Sequence, residues 1–271
     1  MTVSVVTSCS AAGWEQYGQR FVESFDKFWP PEVALYVVSE DNLPVASVKR
    51  MFTFEKVTRR ITFIDLNSSA QFTEFSKRHA SNPRAHGVRV LPVIPTIKDK
   101  HHGYNFRMDA VKFSKKVFAI GMVADLVTGR LIWLDADVVT IDSVPYDFLA
   151  TLPPVNYAIA YLDRKPYHSE CGFVSYDLEH PAVRYFISKF VAAYATDSVF
   201  KLKEWNDCFA FDYLRVEMNV PSYPIPHKST THPFVHSVLG RYMDHLKGMR
   251  KQKGVSHDHP RLTARLKGIK V

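Results

Sequence analysis

Hydrophobic and polar residues follow two patterns in the first part of the chain. Short β-branched runs at Val3–Thr7, Val33–Val38 and Ile61–Leu66 are typical of strands. Between the first two runs, aromatic residues recur at helical spacing over residues 14–28, and the prolines that follow end the helix. A strand, a helix and a second strand in this order predict a βαβ unit and therefore a parallel sheet.

The clearest pattern begins at Asn105. From there to Ala124, apolar residues recur every three or four positions, which predicts a helix with one apolar face. Leu131–Leu134 is wholly apolar, as expected of a strand buried inside a parallel sheet. Similar patterns predict further strands and helices, the strands over Tyr157–Tyr161 and Gly172–Tyr176 and the helices over Pro181–Tyr194 and Glu204–Arg215.

Residues 67–103 lack such a pattern. They are polar and basic, and Pro83, Pro92 and Pro95 interrupt them. Long polar stretches with several prolines are typical of loops. We therefore predict a mobile surface segment between the third strand and the helix that begins near Asn105.

Two carboxylates follow the apolar Leu131–Leu134 strand, in the sequence Asp135-Ala136-Asp137. Ligands of open α/β sheets bind beyond the carboxyl ends of the strands, so both side chains are expected to face a ligand. Mg²⁺ and Mn²⁺ prefer such oxygen ligands and take further ones from substrate phosphates. The pattern predicts a bound Mn²⁺ or Mg²⁺, although aspartates at a strand end also occur in ordinary turns.

The composition fits one large globular unit. The chain has 271 residues, 46% of them hydrophobic, which suffices for one α/β domain or one domain with a tail. No apolar run is long enough for a transmembrane helix, and the first residues resemble a strand more than a signal peptide. Cys9, Cys171 and Cys208 form no C-x-x-C pair, which argues against a disulfide framework or a zinc site. We expect a cytoplasmic protein, located in the host cytoplasm if a phage encodes it.

Positive charge is concentrated in two segments. Residues 77–116 contain ten Lys and Arg against two Asp, and residues 241–271 contain nine against two. The whole chain carries a net charge of +8, so the rest of it is acidic. This distribution favours a polyanionic partner, and the alternative is a solvated surface with a few phosphate-binding residues.

Several of these segments resemble one known family. Leu131–Val139 is similar to the strand that carries the DxD motif in GT-A nucleotide-sugar glycosyltransferases of the hexosyltransferase type. Tyr104–Ile120 resembles the helix before that strand, and Glu170–Asp177 resembles the strand lining the sugar pocket. Glu204–Asp207 resembles a late acidic motif, and Asp244–Gly248 resembles a C-terminal histidine-plus-lysine element.

The resemblance implies an α/β fold of the GT-A type. Such a fold has a Rossmann-like, mostly parallel sheet flanked by helices in a single domain. The GT-A domain would comprise residues 1–240, and residues 241–271 would be a basic C-terminal segment that completes the donor and metal site.

The metal ligands implied by the resemblance are two aspartates and a histidine. Asp137 and His245 would bind Mn²⁺ or Mg²⁺ directly, and Asp135 would reach the ribose or, through water, the metal. His236, four residues before Gly240, is an alternative to His245.

The resemblance also implies donor-binding and catalytic residues. Donor binding is implied for Arg107, Asp109, Lys116, Asp135 and Lys247, the last of which would neutralise the diphosphate. Glu204 and Asp207 would be the catalytic carboxylates near the reacting sugar. Either could act as a base in an inverting reaction, whereas a retaining reaction needs none, and both outcomes remain open.

The implied activity is metal-dependent transfer of a sugar from a nucleoside diphosphate sugar, with a UDP-sugar as the expected donor. The basic segments favour 5-hydroxymethylpyrimidine in DNA as acceptor, as in phage-type DNA modification, and the alternative is a glycan, as in surface polysaccharide synthesis. A nucleotidyltransferase would have a glycine-rich loop after the first strand, where only Gly13 occurs. A non-catalytic nucleic-acid-binding protein gives no reason for Asp135-Ala136-Asp137 at a buried strand end.

Overall fold

A seven-stranded sheet forms the centre of the molecule. The computed structural model describes residues 1–41, 60–88 and 103–261. The strands of these residues, in chain order, are β1 (Val3–Cys9), β2 (Ala34–Ser39), β3 (Ile61–Asp65), β4 (Arg130–Leu134), β5 (Val138–Thr140), β6 (Ile159–Leu162), β7 (Glu170–Asp177), β8 (Ser222–Pro224) and β9 (Met243–His245). Strands pair in the order β3-β2-β1-β4-β7-β6-β8, while β5 and β9 form a separate two-stranded sheet.

The first four strands of this order run parallel. β1 pairs in parallel with β2 and with β4, and β2 pairs in parallel with β3. β7 is antiparallel to both of its neighbours, β4 and β6. The βαβ opening and the mostly parallel sheet are therefore confirmed. The reversal at β7 sets its amino end, at Glu170, beside the carboxyl end of β4, at Leu134.

Helices cover both faces of the sheet. They are α1 (Gln19–Phe28), α2 (Ala70–His79), α3 (Ala110–Ala124), α4 (Tyr146–Ala150), α5 (Pro181–Ala195), α6 (Asp207–Glu217) and α7 (Arg250–Lys253). A helical turn at Ala11–Gly13 and a π-helical stretch at Trp14–Gly18 lead into α1, within the range predicted from the sequence. Among the residues that the structure describes, no helix is long and apolar enough to span a bilayer.

Successive residues of the central strands pack on opposite faces of the sheet. Val6 and Leu131 belong to one apolar cluster, together with residues of α2, α3, α5 and α6. Their sequence neighbours Val5 and Ile132 belong to a second cluster, together with residues of α1. Because side chains alternate across a strand, two buried faces require the nearly continuous apolar strands that the sequence shows.

The prediction of a mobile segment over residues 67–103 is wrong for its first part. Helix α2 occupies residues 70–79, and its Phe72 and Phe75 are buried. Their rings lie 5.7 and 6.0 Å from the ring of Phe118 on α3. Two aromatic residues among polar ones gave too weak a periodic pattern to reveal this helix.

The prolines of that segment do not all interrupt structure. Pro83 stands at the start of a 3₁₀ turn, Pro83–His86, where its missing amide leaves no hydrogen bond unmade. Pro92 and Pro95 lie outside the described residues.

The division of the chain into a GT-A domain of residues 1–240 and a C-terminal segment of residues 241–271 stays a prediction.

Phe186 on α5 offers a test of the core. Its ring is fully buried between those of Tyr176 and Phe211. Phe186→Ala should therefore lower the free energy of unfolding by about 3–5 kcal/mol. The matched control is its neighbour Tyr185, which is 58% exposed, and Tyr185→Ala should cost less than about 1 kcal/mol. Denaturant unfolding measures both variants, and equal losses would show that this helix face is misplaced.

Candidate active site

Strand β4 delivers two carboxylates to one edge of the sheet. All five of its residues are buried. The chain then turns sharply, because the amide of Val138 donates to the carbonyl of Asp135 at 3.0 Å. The amide of Asp135 in turn donates to the carbonyl of Gly172 at 3.0 Å, which fixes the turn against β7. Asp135 and Asp137 consequently line a cleft of about 660 Å³ beyond the carboxyl end of β4.

Strand β9 brings His245 to the same place. β9 pairs antiparallel with β5, and their register sets His245 opposite Val138. The Nε2 atom of His245 lies 3.0 Å from Asp137 Oδ1 and 3.5 Å from Asp135 Oδ2. One ligand atom from each of these three residues lies within 4.8 Å of the other two. The structure thus groups the three expected metal ligands.

His236, the alternative ligand, lies elsewhere. Its Nε2 is 3.9 Å from a carboxylate oxygen of Asp258. It lines a separate cavity of about 790 Å³, beside Arg241 and Arg261. That cavity is the larger of the two, but it contains none of the other residues expected to bind metal or donor. The candidate site is therefore the cleft beside Asp135.

Gly172 and Glu170 on β7 shape the pocket of His245. The sequence patterns did not single out either residue. A Cβ atom at Gly172 would overlap the ring of His245, because its Nδ1 would then lie 2.6 Å away. Glu170 is buried, and its Oε1 lies 3.6 Å from the same Nδ1 atom. A carboxylate beyond a histidine ligand commonly fixes the orientation of the imidazole. The sequence feature that could have indicated these two residues is a glutamate two residues before a glycine at the start of a strand.

Lysine side chains hold the carboxylates of the cleft in ion pairs. Lys116 Nζ lies 3.1 Å from Asp135 Oδ1 and 2.9 Å from Asp207 Oδ2, and Lys251 Nζ lies 3.0 Å from Asp137 Oδ2. Burial disfavours the charged form of Asp135, but the charge of Lys116, together with the hydrogen bond and charge of His245, outweighs burial and holds the pKa of Asp135 well below its usual range. Burial also opposes the charge of Lys116, yet Asp135 and Asp207 raise the pKa of this lysine well above its usual range.

The same balance of burial and charge protonates His245. Burial lowers the pKa of His245, but the charge of Asp137 and the hydrogen bonds to Asp135 and Asp137 together raise it more strongly, to about 9. The pKa of Asp137 is lowered in return, because the charge and hydrogen bond of His245, together with the charge of Lys251, outweigh the cost of burial. In the metal-free protein the imidazole therefore carries a proton at neutral pH. A metal ion must displace that proton to bind.

Lys251 was not among the residues expected to bind the donor. It follows His245 by six positions, in the order His245-Leu-Lys-Gly-Met-Arg-Lys251. Gly248 adopts a φ of 58°, a left-handed conformation that favours glycine, and helix α7 then sets Lys251 against Asp137. Lys247 lines the cleft as well, but its Nζ contacts Glu170. The spacing His-x-x-Gly-x-x-Lys was the sequence signal for Lys251.

The two carboxylates of the late acidic motif, Glu204–Asp207, lie in different places, one in the cleft lining and one outside it. Asp207 is the first residue of α6 and lines the cleft. Glu204 is buried outside this lining, where Arg107 Nη1 lies 3.2 Å from its Oε1 and His168 Nε2 lies 3.1 Å from its Oε2. The contacts of Glu204 are therefore with neighbouring side chains of the fold.

Asp109 stands at the start of α3. It caps the helix, because its Oδ1 accepts from the amide of Lys112 at 3.0 Å and its Oδ2 accepts from the hydroxyl of Tyr104 at 3.0 Å. Of the residues predicted from the sequence, the cleft lining contains Lys116, Asp135, Asp137, Asp207 and Lys247, whereas Arg107, Asp109, Glu204 and the fully buried His245 lie outside it. Their roles in donor binding and catalysis stay predictions.

Comparison with solved structures identifies the fold. Mouse xyloside xylosyltransferase 1, in its apo form, matches with a TM-score of 0.50 at 9% sequence identity, over 83% of this chain and 85% of that one. The apo form of the glycosyltransferase GlyE from Streptococcus pneumoniae TIGR4 matches with a TM-score of 0.49 at 13% identity, over 82% of this chain and 45% of that one. No protein-family model and no curated protein matches the chain. The chain has a glycosyltransferase fold of the GT-A type, as the resemblance implied.

The close approach of Gly172 to His245 yields a test of the pocket. Gly172→Ala should displace the His245 ring, because the added methyl group overlaps it, and should weaken Mn²⁺ binding at least about tenfold. Gly121→Ala is the matched control, since its added methyl group would overlap a side chain equally, at 2.6 Å from Val191 Cγ2, but outside the cleft lining. Calorimetric titration with Mn²⁺ measures both variants, and circular dichroism verifies their folding. Unchanged affinity in Gly172→Ala would contradict the position assigned to His245.

Proposed function

We propose that this chain transfers a sugar from a nucleoside diphosphate sugar, a UDP-sugar in our hypothesis, to an acceptor hydroxyl in a reaction that depends on Mn²⁺ or Mg²⁺. The supporting observation is the convergence of Asp135, Asp137 and His245 within 4.8 Å. It occurs at the carboxyl end of a central strand in a glycosyltransferase fold. Because one fold can host many functions, the proposal rests on the residues of the site and not on the fold.

The ligand atoms suit a divalent cation that keeps positions open for substrate. Carboxylate oxygens are hard ligands, and imidazole nitrogen is accepted by Mn²⁺ alongside them. Nε2 of His245 faces both aspartates, while its Nδ1 faces Glu170. This orientation directs Nε2 to a metal held by Asp135 and Asp137. When bound, the ion supplies Lewis-acid stabilisation to the diphosphate leaving group.

Lysines of the cleft supply the remaining positive charge. Lys116, Lys247 and Lys251 all line the cleft, and each is paired with a carboxylate. We assign Lys247 and Lys251 to the diphosphate, because both lie on the chain segment that follows the proposed ligand His245. Fixed cations beside a leaving group stabilise the charge that develops on it.

Asp207 is the carboxylate that we assign to the reacting sugar or acceptor. It lines the cleft, and it pairs with Lys116, which also pairs with Asp135. In an inverting reaction Asp207 would accept the proton of the acceptor hydroxyl, whereas a retaining reaction needs no such base. Glu204, held by Arg107 and His168, connects the segment before α3 to the segment before α6. We assign it a positioning role.

The metal dependence can be tested on Asp137. Asp137→Ala should lower metal-dependent release of UDP from UDP-sugars at least about 100-fold, because it removes a ligand of the Lewis acid. Removal of the metal with EDTA should abolish the same release. Asp142→Ala is the matched control, since Asp142 is half-buried and pairs with Arg261 away from the cleft. Full turnover in EDTA would refute the metal assignment.

The diphosphate assignment can be tested on helix α7. Lys251→Met should raise the donor KM and lower kcat together, by about tenfold or more in kcat/KM, since it removes a cation from the leaving group. Lys253→Met on the same helix is the control, because Lys253 Nζ contacts His257 outside the cleft. Steady-state kinetics with a UDP-sugar measures both. Equal kinetics in the two variants would remove Lys251 from the site.

The choice of acceptor depends on the two basic segments. The structure pairs several of their cations with acids in other parts of the chain, among them Arg78 with Asp197, Lys115 with Glu40, and Arg261 with Asp142. The unpaired positive charge is thus smaller than the sequence count indicates, which weakens the argument for DNA. We therefore place a glycan hydroxyl first, and 5-hydroxymethylpyrimidine in DNA second.

A panel of acceptors separates the two hypotheses. With a mixture of UDP-sugars and Mn²⁺, we expect transfer to simple glycans and none to duplex DNA containing 5-hydroxymethylcytosine, with unmodified DNA as the control. If DNA is the acceptor, its binding should weaken steeply with salt. About five phosphate contacts give a slope of log K against log salt near −4 to −5. Transfer to modified DNA with such a slope would make DNA, and not a glycan, the preferred acceptor.

A further inference from the structure

Two thiols and a carboxylate meet on the wall of the cleft. Cys171 lies on β7, and Cys208 lies on α6 next to Asp207. One ligand atom from each of the three, two sulfurs and one carboxylate oxygen, lies within 4.8 Å of the other two. All three residues line the cleft, so the group is open to small solutes.

This group differs in ligand type from the group formed by Asp135, Asp137 and His245. Sulfur ligands select Zn²⁺ and other thiophilic cations, whereas carboxylates suit Mg²⁺ and Mn²⁺. A tetrahedral zinc ion with Zn–S bonds of about 2.3 Å holds its ligand atoms roughly 3.5–3.8 Å apart. The three ligand atoms already lie within 4.8 Å of one another, which is close to the spacing that zinc requires.

The surrounding charges suit an added divalent cation. Binding would release the two thiol protons to solvent, which leaves two thiolates and the carboxylate of Asp207. Lys116 Nζ lies 2.9 Å from Asp207 and 3.1 Å from Asp135. With this lysine and Asp135 included, four negative charges would face three positive ones. Buried charges that nearly balance cost far less than isolated ones.

We propose that Cys171, Cys208 and Asp207 form a second metal site, which binds a thiophilic divalent cation such as Zn²⁺ or Cd²⁺ and leaves a fourth position open to the cleft. The absence of a C-x-x-C pair argued against a zinc site in the sequence. The two cysteines meet only because α6 packs against β7.

A cation at this second site would compete with Lys116 for Asp207. Lys116 also pairs with Asp135, so the change reaches the proposed metal and donor site. We therefore expect Zn²⁺ to inhibit the reaction that Mn²⁺ or Mg²⁺ supports. That inhibition rests on the proposed function, whereas binding of the cation does not.

Cobalt provides a spectroscopic test that needs no activity. Co²⁺ is titrated into the full-length protein in the presence of a phosphine reductant and excess Mg²⁺, which prefers oxygen ligands and leaves the thiols free. We expect a thiolate-to-cobalt charge-transfer band and the intense visible bands of a tetrahedral site. His245→Ala should retain both, because it does not contribute to the second site. A spectrum without the charge-transfer band in the unmodified protein would overturn the proposal.

Cysteine variants assign the band to its ligands. Cys208→Ser and Cys171→Ser should each lose the tetrahedral spectrum, and Cys208 is the safer variant because it is only partly buried. Cys9→Ser is the matched control, since Cys9 is a buried cysteine outside the cleft lining. A band that survives in the Cys171→Ser/Cys208→Ser double variant, or that disappears in Cys9→Ser, would place the bound cobalt elsewhere.

Discussion

Several charges lie together in a partly buried cleft at the carboxyl end of β4, and each must be compensated by another. Asp135 and Asp137 would be too costly to bury alone, because desolvation of a carboxylate outweighs most single contacts. Lys116, Lys251 and protonated His245 supply the compensation. These partners come from distant parts of the chain. The sheet order, the β5–β9 pair and helix α7 are therefore all required for the site to exist.

These ion pairs also bear on the proposed chemistry. Ammonium groups that now contact carboxylates are the groups that a diphosphate would attract, and a divalent cation would take over the neutralisation of Asp135 and Asp137. Donor and metal binding would then exchange one set of ion pairs for another. The buried Glu170 lies beside Nδ1 of His245, where a carboxylate can fix the orientation of the imidazole.

Local patterns allowed much of the fold to be predicted. Strand β4, helix α3 and the carboxylates at Asp135 and Asp137 stand out because their periodicity or burial is visible within a few residues. Helix α2 was missed because Phe72 and Phe75 supply most of its buried face. The pairing of Lys251 with Asp137 depends on elements that meet only in the folded chain. Its sole local sign was the spacing from His245, and nothing local indicated that Cys171 and Cys208 would meet.

Proton release on metal binding tests this account most directly. Because Asp137 and Asp135 together raise the pKa of His245 to about 9, the imidazole is protonated at pH 7 before metal binds. Calorimetric titration with Mn²⁺ in two buffers of different ionisation enthalpy should therefore reveal release of about one proton per ion bound. His245→Gln should bind more weakly and release none. Binding without proton release in the unmodified protein would mean that His245 is not part of the metal site.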